Sequence, residues 1–202
     1  MPTQDFWEQR YAEEEYAYGV KPNAFLVTQI DRLAAGAKVL VIGDGEGRNG
    51  VWLAEQGFDV HTVDYSAEGL KKAQRLAAER GTTLHTQQAD LTTWDWPVDE
   101  YDAVVTIYVH FPSDIRPALH QRMLQCLKPG GLLIEEAFHK RQLNFNSGGP
   151  PSEDMLYTQE ILRDDAAGAE ILLLEETDTT LDEGRYHSGD AAVLRLVARR
   201  PR

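Results

Sequence analysis

The chain has a single cysteine, Cys126, so no internal disulfide can form and a reducing compartment is the expected setting. No apolar run approaches the roughly 18 residues that a membrane-spanning helix needs. The N-terminal stretch MPTQDFWEQRYAEEEY is charged and aromatic rather than signal-like, which adds to the expectation of a cytoplasmic protein. Basic residues are scarce: 20 Lys and Arg stand against 33 Asp and Glu, a formal net charge of −13. Beyond the terminal ARRPR no Lys/Arg cluster exists to displace counterions, so nucleic acid and anionic membrane are poor partners. The six histidines are scattered without ligand spacing to carboxylates, and no metal site is expected. A G-x-S-x-G nucleophile elbow is absent. What remains is a 202-residue chain of ordinary apolar content, the size of one domain (1–202).

Short apolar runs alternate with amphipathic ones. KVLVI (38–42), DVHTVD (59–64), TLHTQQ (83–88), YDAVVTI (101–107) and GLLIEEAF (131–138) read as strands. NAFLVTQIDRLAA reads as a helix begun by Asn23. SAEGLKKAQRLAAER reads as one capped by Ser66, with Leu70, Ala73, Leu76 and Ala77 on one face. SDIRPALHQRMLQCL reads as a third, capped by Ser113, with Pro117 in its first turn and Cys126 as a structural residue near its end. The alternation predicts an α/β fold with a doubly wound, mostly parallel sheet. Two further runs, EILLLEETDTTL and AAVLRLVARR, follow with no helix between them. They predict an antiparallel C-terminal hairpin at one sheet edge and bring the expected strand count to seven. LNFNSGGPPSED (143–154) is a long polar loop after the fifth strand, either a substrate lid or a plain connection.

VLVIGDGEGRNG (39–50) leaves the first strand through glycines at 43, 45, 47 and 50. GEGRNG satisfies the dinucleotide pattern G-x-G-x-x-G, but it starts two residues late, and counted from Gly43 its sixth position is Arg48, where that pattern wants a small residue. Asp64 ends the second strand, where a carboxylate can accept from both hydroxyls of a ribose or simply cap the next helix. Asp90 ends the third, where it can read an adenine amine with the Leu91 N–H beside it, or make a turn. His110 follows the fourth strand as a general base, as a donor that orients an anionic substrate, or as a loop residue bonded to a carbonyl.

VLVIGDGEGRNGVWLAEQG, VDYS, QADL, YDAVVTIYVHFP and LKPGG occur in the order and spacing of class I S-adenosylmethionine-dependent methyltransferases, and WEQRYAEEEYAYGVKPNAFL resembles the tellurite-resistance type near the thiopurine methyltransferases. The resemblance runs from about Trp7 to the C-terminal hairpin. It implies a Rossmann-like methyltransferase fold and S-adenosyl-L-methionine as cofactor. Gly43, Asp44, Gly45, Gly47 and Asn49 would then surround the methionine portion, Asp64 the ribose, and Tyr65 the adenine face. Asp90 and Leu91 would read the adenine edge, and Tyr108 would lie near the methionyl end. Residues 1–35 would form a covering segment and helix ahead of a core at 36–202, with Tyr18 closing over the site and Tyr11 and Tyr16 either joining it or packing the segment onto the sheet. One departure is Val41, which stands where many class I enzymes carry an acidic residue; Asp44 and Glu46 bring acidity into the loop instead.

The implied activity is methyl transfer to a small molecule, with a chalcogen oxyanion or thiol as acceptor and a monomer or weak homodimer as the working form. His110 is the candidate catalytic residue. Arg141, and the hairpin residues Arg185, Tyr186 and His187, either hold an oxyanion or, the favoured reading, belong to solvated loops. The alternatives are a nicotinamide-dependent oxidoreductase and a non-catalytic S-adenosylmethionine-binding protein.

Overall fold

A computed structural model describes residues 2–202. Seven strands form one sheet in the order β3-β2-β1-β4-β5-β7-β6. These are β1 (Lys38–Ile42), β2 (Asp59–Asp64), β3 (His85–Gln88), β4 (Tyr101–Ile107), β5 (Leu127–Phe138), β6 (Glu170–Asp182) and β7 (Ser188–Arg199). The first five pair in parallel, while β7 runs antiparallel to both β5 and β6. The expected parallel sheet and C-terminal hairpin are both present.

The central strands are apolar without alternation because they are covered on both faces. Val39 and Val41 of β1 pack with Phe25, Leu26 and Leu53 on one side. Leu40 and Ile42 pack with Met123, Leu124 and Leu162 on the other. The first layer is supplied by α2 (Ala24–Gln29) and α3 (Arg48–Glu55), the second by α5 (Arg116–Cys126) and α6 (Gln159–Asp165). Among the described residues no helix is long and apolar enough to cross a membrane.

Local signals account for most boundaries. Asn23 caps α2, its Oδ1 accepting from the Leu26 N–H at 3.0 Å. Ser66 caps α4 (Ala67–Glu79) through the Gly69 N–H at 3.1 Å. Ser113 does not cap α5: that helix starts after Ile115 without a side-chain cap, and the Ser113 N–H donates instead to Asp154 at 3.2 Å. Pro117 does sit in its first turn. The LKPGG segment enters β5 with a register irregularity against β4 near Tyr101 and Ala103. α1 (Gln4–Tyr11) has no legible apolar stripe. Cys126 is fully buried, and burial pushes its thiol up to about 12.

Candidate functional site

The sheet order reverses between β1 and β4, and the carboxyl ends of β1 to β4 open there into a cavity of about 670 Å³. That is ample for a small-molecule site and lies at the position expected for open α/β sheets. Its floor comes from the β1–α3 loop, the ends of β2 and β3, and the segment after β4. Its cover comes from α1, the 148–155 loop and the β6–β7 turn. Of the residues singled out in the sequence, Tyr18, Gly43, Asp44, Asn49, Asp64, Tyr65, Asp90, Leu91, Tyr108 and His110 line it.

Gly45 and Gly47 do not line it. Both have positive φ, +57° and +87°, a backbone that glycine adopts without strain. A Cβ on Gly45 would fall 2.6 Å from the Tyr11 hydroxyl, and one on Gly47 would fall 2.6 Å from the Ala73 Cβ. The protein's own packing, rather than a ligand, excludes side chains at these two positions. The loop is tied to the next strand through the Gly45 N–H, which donates to Asp64 Oδ2 at 2.7 Å.

Three carboxylates of this region are buried. Asp64 also accepts from the Ser66 N–H at 2.8 Å, and burial raises it to about 6. Asp44 accepts from the Gly50 N–H and the Thr62 hydroxyl, and burial raises it to about 6 as well. Glu46 is neutralised by the Lys72 ammonium and accepts from the Ala17 N–H at 2.8 Å. Asp44 is therefore the loop carboxylate left without a cation at close range. Asp90 forms an Asx turn, its Oδ1 accepting from the Thr92 N–H and hydroxyl at 2.9 and 2.7 Å. The turn and a place on the cavity wall coexist.

Tyr108 is a non-glycine residue at φ +57°, a conformation that concentrates at functional sites. Its ring stacks on Phe138 at 4.5 Å and its hydroxyl donates to Glu136 at 2.6 Å. Of the three readings open for His110, the geometry matches the loop residue bonded to a carbonyl and not the base. Its Nε2 accepts from the Phe138 N–H at 2.9 Å and its Nδ1 donates to the Tyr108 carbonyl at 3.1 Å. Both nitrogens are occupied, and burial pulls the imidazole down to about 3. It fastens the loop and takes no proton near neutrality.

The cover is joined by buried and half-buried polar groups whose pairing the sequence did not announce. Glu8 on α1 accepts from the Ser66 hydroxyl and the N–H groups of Ala67 and Glu68, at 2.7, 2.9 and 2.9 Å, completing the N-terminus of α4. Asn23 donates to Glu136 at 2.7 Å and to Glu183 at 3.0 Å. Arg195 binds Glu136 at 2.6 Å, and Arg48 binds Glu183 at 2.9 Å. Burial works against the Glu183 charge, yet His187 and Arg48 together hold it down to about 2. Arg10, on the cavity wall, sits 3.8 Å from the Tyr186 ring centre and donates to the Tyr18 hydroxyl at 3.1 Å. One signal was available: Glu135 and Glu136 are two carboxylates inside an otherwise apolar strand.

Of the other candidates, Tyr11, Tyr186 and His187 line the cavity. Tyr16 lies outside it, over Lys72 and Arg75. Arg141 pairs with Glu176 and Asp178 on the exterior, and Arg185 with Glu13. The expectation that no histidine–carboxylate cluster exists is corrected by strand pairing, which gathers Asp59, His61 and His85.

Comparison with known proteins follows this geometry. Residues 39–131, which span β1 to the start of β5, match the family described as methyltransferase domain. Phosphoethanolamine N-methyltransferase 1 of Triticum aestivum is 29% identical over 138 residues, 67% of this chain and 26% of that protein. Thiopurine S-methyltransferase of Vibrio cholerae serotype O1 is 29% identical over 170 residues, 75% of this chain and 76% of that one. The chain spans between 26% and 37% of the length of the first curated relatives it matches. The crystal structure of TehB from Haemophilus influenzae superposes with a TM-score of 0.73 at 17% identity, covering 98% of this chain and 66% of that one. It shares the fold.

Proposed function

We infer that this chain, a class I S-adenosylmethionine-dependent methyltransferase by its domain match and its fold, moves a methyl group onto a small-molecule acceptor. The observation that carries the reading is the convergence of Asp44, Asp64 and Asp90, from three successive strand ends, on one cavity. The donor set fits the cofactor: carboxylates for hydroxyls, amines and a cation, with aromatic rings between them. Bound S-adenosylmethionine supplies an electrophilic methyl carbon.

The chain's residues divide the binding among them. Asp64 accepts from the ribose hydroxyls with the lone pairs that the Gly45 and Ser66 amides leave free. Asp90 and the Leu91 N–H read the adenine edge, and Tyr65 flanks its face. Asp44 faces the cationic methionyl end, together with Gly43, Asn49 and the ring of Tyr108, while Gly45 and Gly47 shape the loop behind them. Tyr18 and α1 cover the ligand and exclude water, which aligns the reactants and keeps the site dry.

For the acceptor we propose a soft anionic nucleophile, a thiolate or a chalcogen oxyanion. Two observations support it. His110 has no free nitrogen to accept a proton, and such a nucleophile needs no base. Thiopurine S-methyltransferase, a relative of similar span, is by its name a sulfur methyltransferase. The test is calorimetric titration with S-adenosylhomocysteine and with NADH, followed by label transfer from S-adenosylmethionine to thiols, tellurite, selenite and phosphoethanolamine. Micromolar binding of S-adenosylhomocysteine with no NADH binding is expected. The reverse would sink the cofactor reading, and labelling of the amine alone would sink the acceptor class.

A further inference from the structure

β2 and β3 pair at the edge of the sheet far from the hairpin, with His61 opposite His85. Residues directly opposite in a parallel pair share a face, and the two imidazole centroids lie 4.8 Å apart. Asp59 precedes His61 by two residues, so it shares that face too. Its Oδ1 is 3.8 Å from His61 Nε2 and 3.7 Å from His85 Nε2, and the three groups offer ligand atoms within 4.8 Å of one another. With metal–ligand bonds of about 2.1 Å, two ligands of a tetrahedral ion lie about 3.4 Å apart. Small side-chain rotations bring these three atoms onto one centre.

The other nitrogen of His61 is already placed. Nδ1 lies 3.1 Å from the Tyr101 hydroxyl. With the proton on Nδ1, His61 donates to that oxygen and turns the Nε2 lone pair toward Asp59. A second hydrogen bond of this kind orients most metal-bound histidines. The nearby Lys38 ammonium is held by Glu100 at 2.6 Å.

We propose that Asp59, His61 and His85 bind one borderline divalent cation such as Zn²⁺, with a remaining position for water, and that the ion staples the edge strand β3 to β2. Two imidazoles with one carboxylate suit Zn²⁺, Co²⁺ or Cu²⁺ and discriminate against Mg²⁺ and Ca²⁺, which take oxygen ligands. The staple has a structural consequence. β3 is only four residues long and mostly exposed, and it leads into Asp90 and Leu91 on the cavity wall. Fixing its first residue fixes the strand that delivers them.

The test uses the untagged full chain, Co²⁺ followed by its visible d–d bands, and Zn²⁺ by calorimetry. One saturable site is expected, unaffected by millimolar Mg²⁺. His85 is exposed, so His85→Ala folds; it and Asp59→Asn should each weaken binding by at least tenfold. Tyr101→Phe keeps the ring and removes only the hydroxyl, and it should weaken binding about tenfold, in line with outer-shell losses of roughly 10–100-fold. His139→Ala, which alters a separate histidine–glutamate pair with Glu176, should change nothing. Hydrogen exchange of amides 85–88 should slow with Zn²⁺ in the parent chain but not in His85→Ala. Absence of saturable binding, or binding that survives His85→Ala undiminished, overturns the site. Exchange that ignores Zn²⁺ overturns the staple.

Discussion

Replacing Asp64 with alanine separates a ligand-holding carboxylate from one that only braces a loop. Burial raises Asp64 to about 6 from an ordinary 3.8, which corresponds to about 3 kcal/mol against the charged form. The alanine variant loses the acceptor for two buried N–H groups, at about 1–3 kcal/mol each, and no longer carries the burial cost of the carboxylate, which outweighs those bonds in the raised value. The two nearly offset, so the variant should fold. Binding should not survive as well. Charged hydrogen bonds contribute about 1.5–3 kcal/mol each and add incompletely, so S-adenosylhomocysteine should bind about 2–4 kcal/mol more weakly, roughly 30- to 900-fold. The parent chain should also show a pH limb. If only the carboxylate binds, affinity is flat above about pH 7 and falls about tenfold by pH 5, as the group protonates through about 6. Stability contributed by this group moves the other way. The folded state holds the proton more tightly than the unfolded chain between about 4 and 6, so its contribution rises as pH falls, and loss of binding cannot be put down to unfolding through it. Asp44 titrates in the same range, so Asp44→Asn is measured beside it. A folded Asp64→Ala that binds as tightly as the parent, with the limb intact, would refute the ribose-holding role.

His110→Ala should lose about 1–3 kcal/mol of stability by stripping the Phe138 N–H of its acceptor. The parent rate profile should show no limb near pH 6.5 that vanishes in this variant; finding one would restore the base. Gly45→Ala should cost about 2 kcal/mol or more in chemical denaturation, from about 1–2 kcal/mol of left-handed backbone and the contact with the Tyr11 hydroxyl. Tyr11→Phe should recover part of it, and no recovery would mean that the hydroxyl contact is not the cause. His120 is raised to about 9 by Glu135 and Asp165 against the effect of burial, so its stabilisation is complete below about 6.5 and lost as pH rises through about 9. The loss should be about 3 kcal/mol in thermal or urea unfolding, and a His120→Gln variant with the same alkaline decline would exclude this histidine as its source.

What was legible in the sequence is what depends on neighbours in the chain. The apolar runs of β1 and β4 are continuous because both faces are covered, and the caps at Asn23 and Ser66 act within three residues of themselves. Asp64 and Asp90 were legible because a strand end in a doubly wound sheet has a fixed direction. Ser113 failed as a cap because a turn comes first: the Arg116 N–H bonds back to the Pro112 carbonyl and the helix starts only after Ile115. His110 was placed at the cavity, but its role stayed open between base, orienting donor and loop residue, since its partners are backbone groups of Tyr108 and Phe138 that no side-chain pattern announces. The histidine–carboxylate cluster escaped because its spacing exists only across the β2–β3 register.

The buried pairs that close the cavity belong to the same class. Asn23 reaches Glu136 across 113 positions and Glu183 across 160, and Arg48 reaches Glu183 across 135. A buried ion pair adds little net stability over an apolar substitute, but removing one partner leaves a bare charge at a cost of about 3–5 kcal/mol. That asymmetry gives the network its role. The glycine-loop helix α3 and the β6–β7 turn cannot separate without splitting Arg48 from Glu183, and the Asn23 amide ties the segment before α2 to both Glu183 and Glu136. Arg10 meets aromatic rings and a phenol hydroxyl instead of a carboxylate, α1 is held to the N-terminus of α4 by Glu8, and Arg185 of the β6–β7 turn pairs with Glu13.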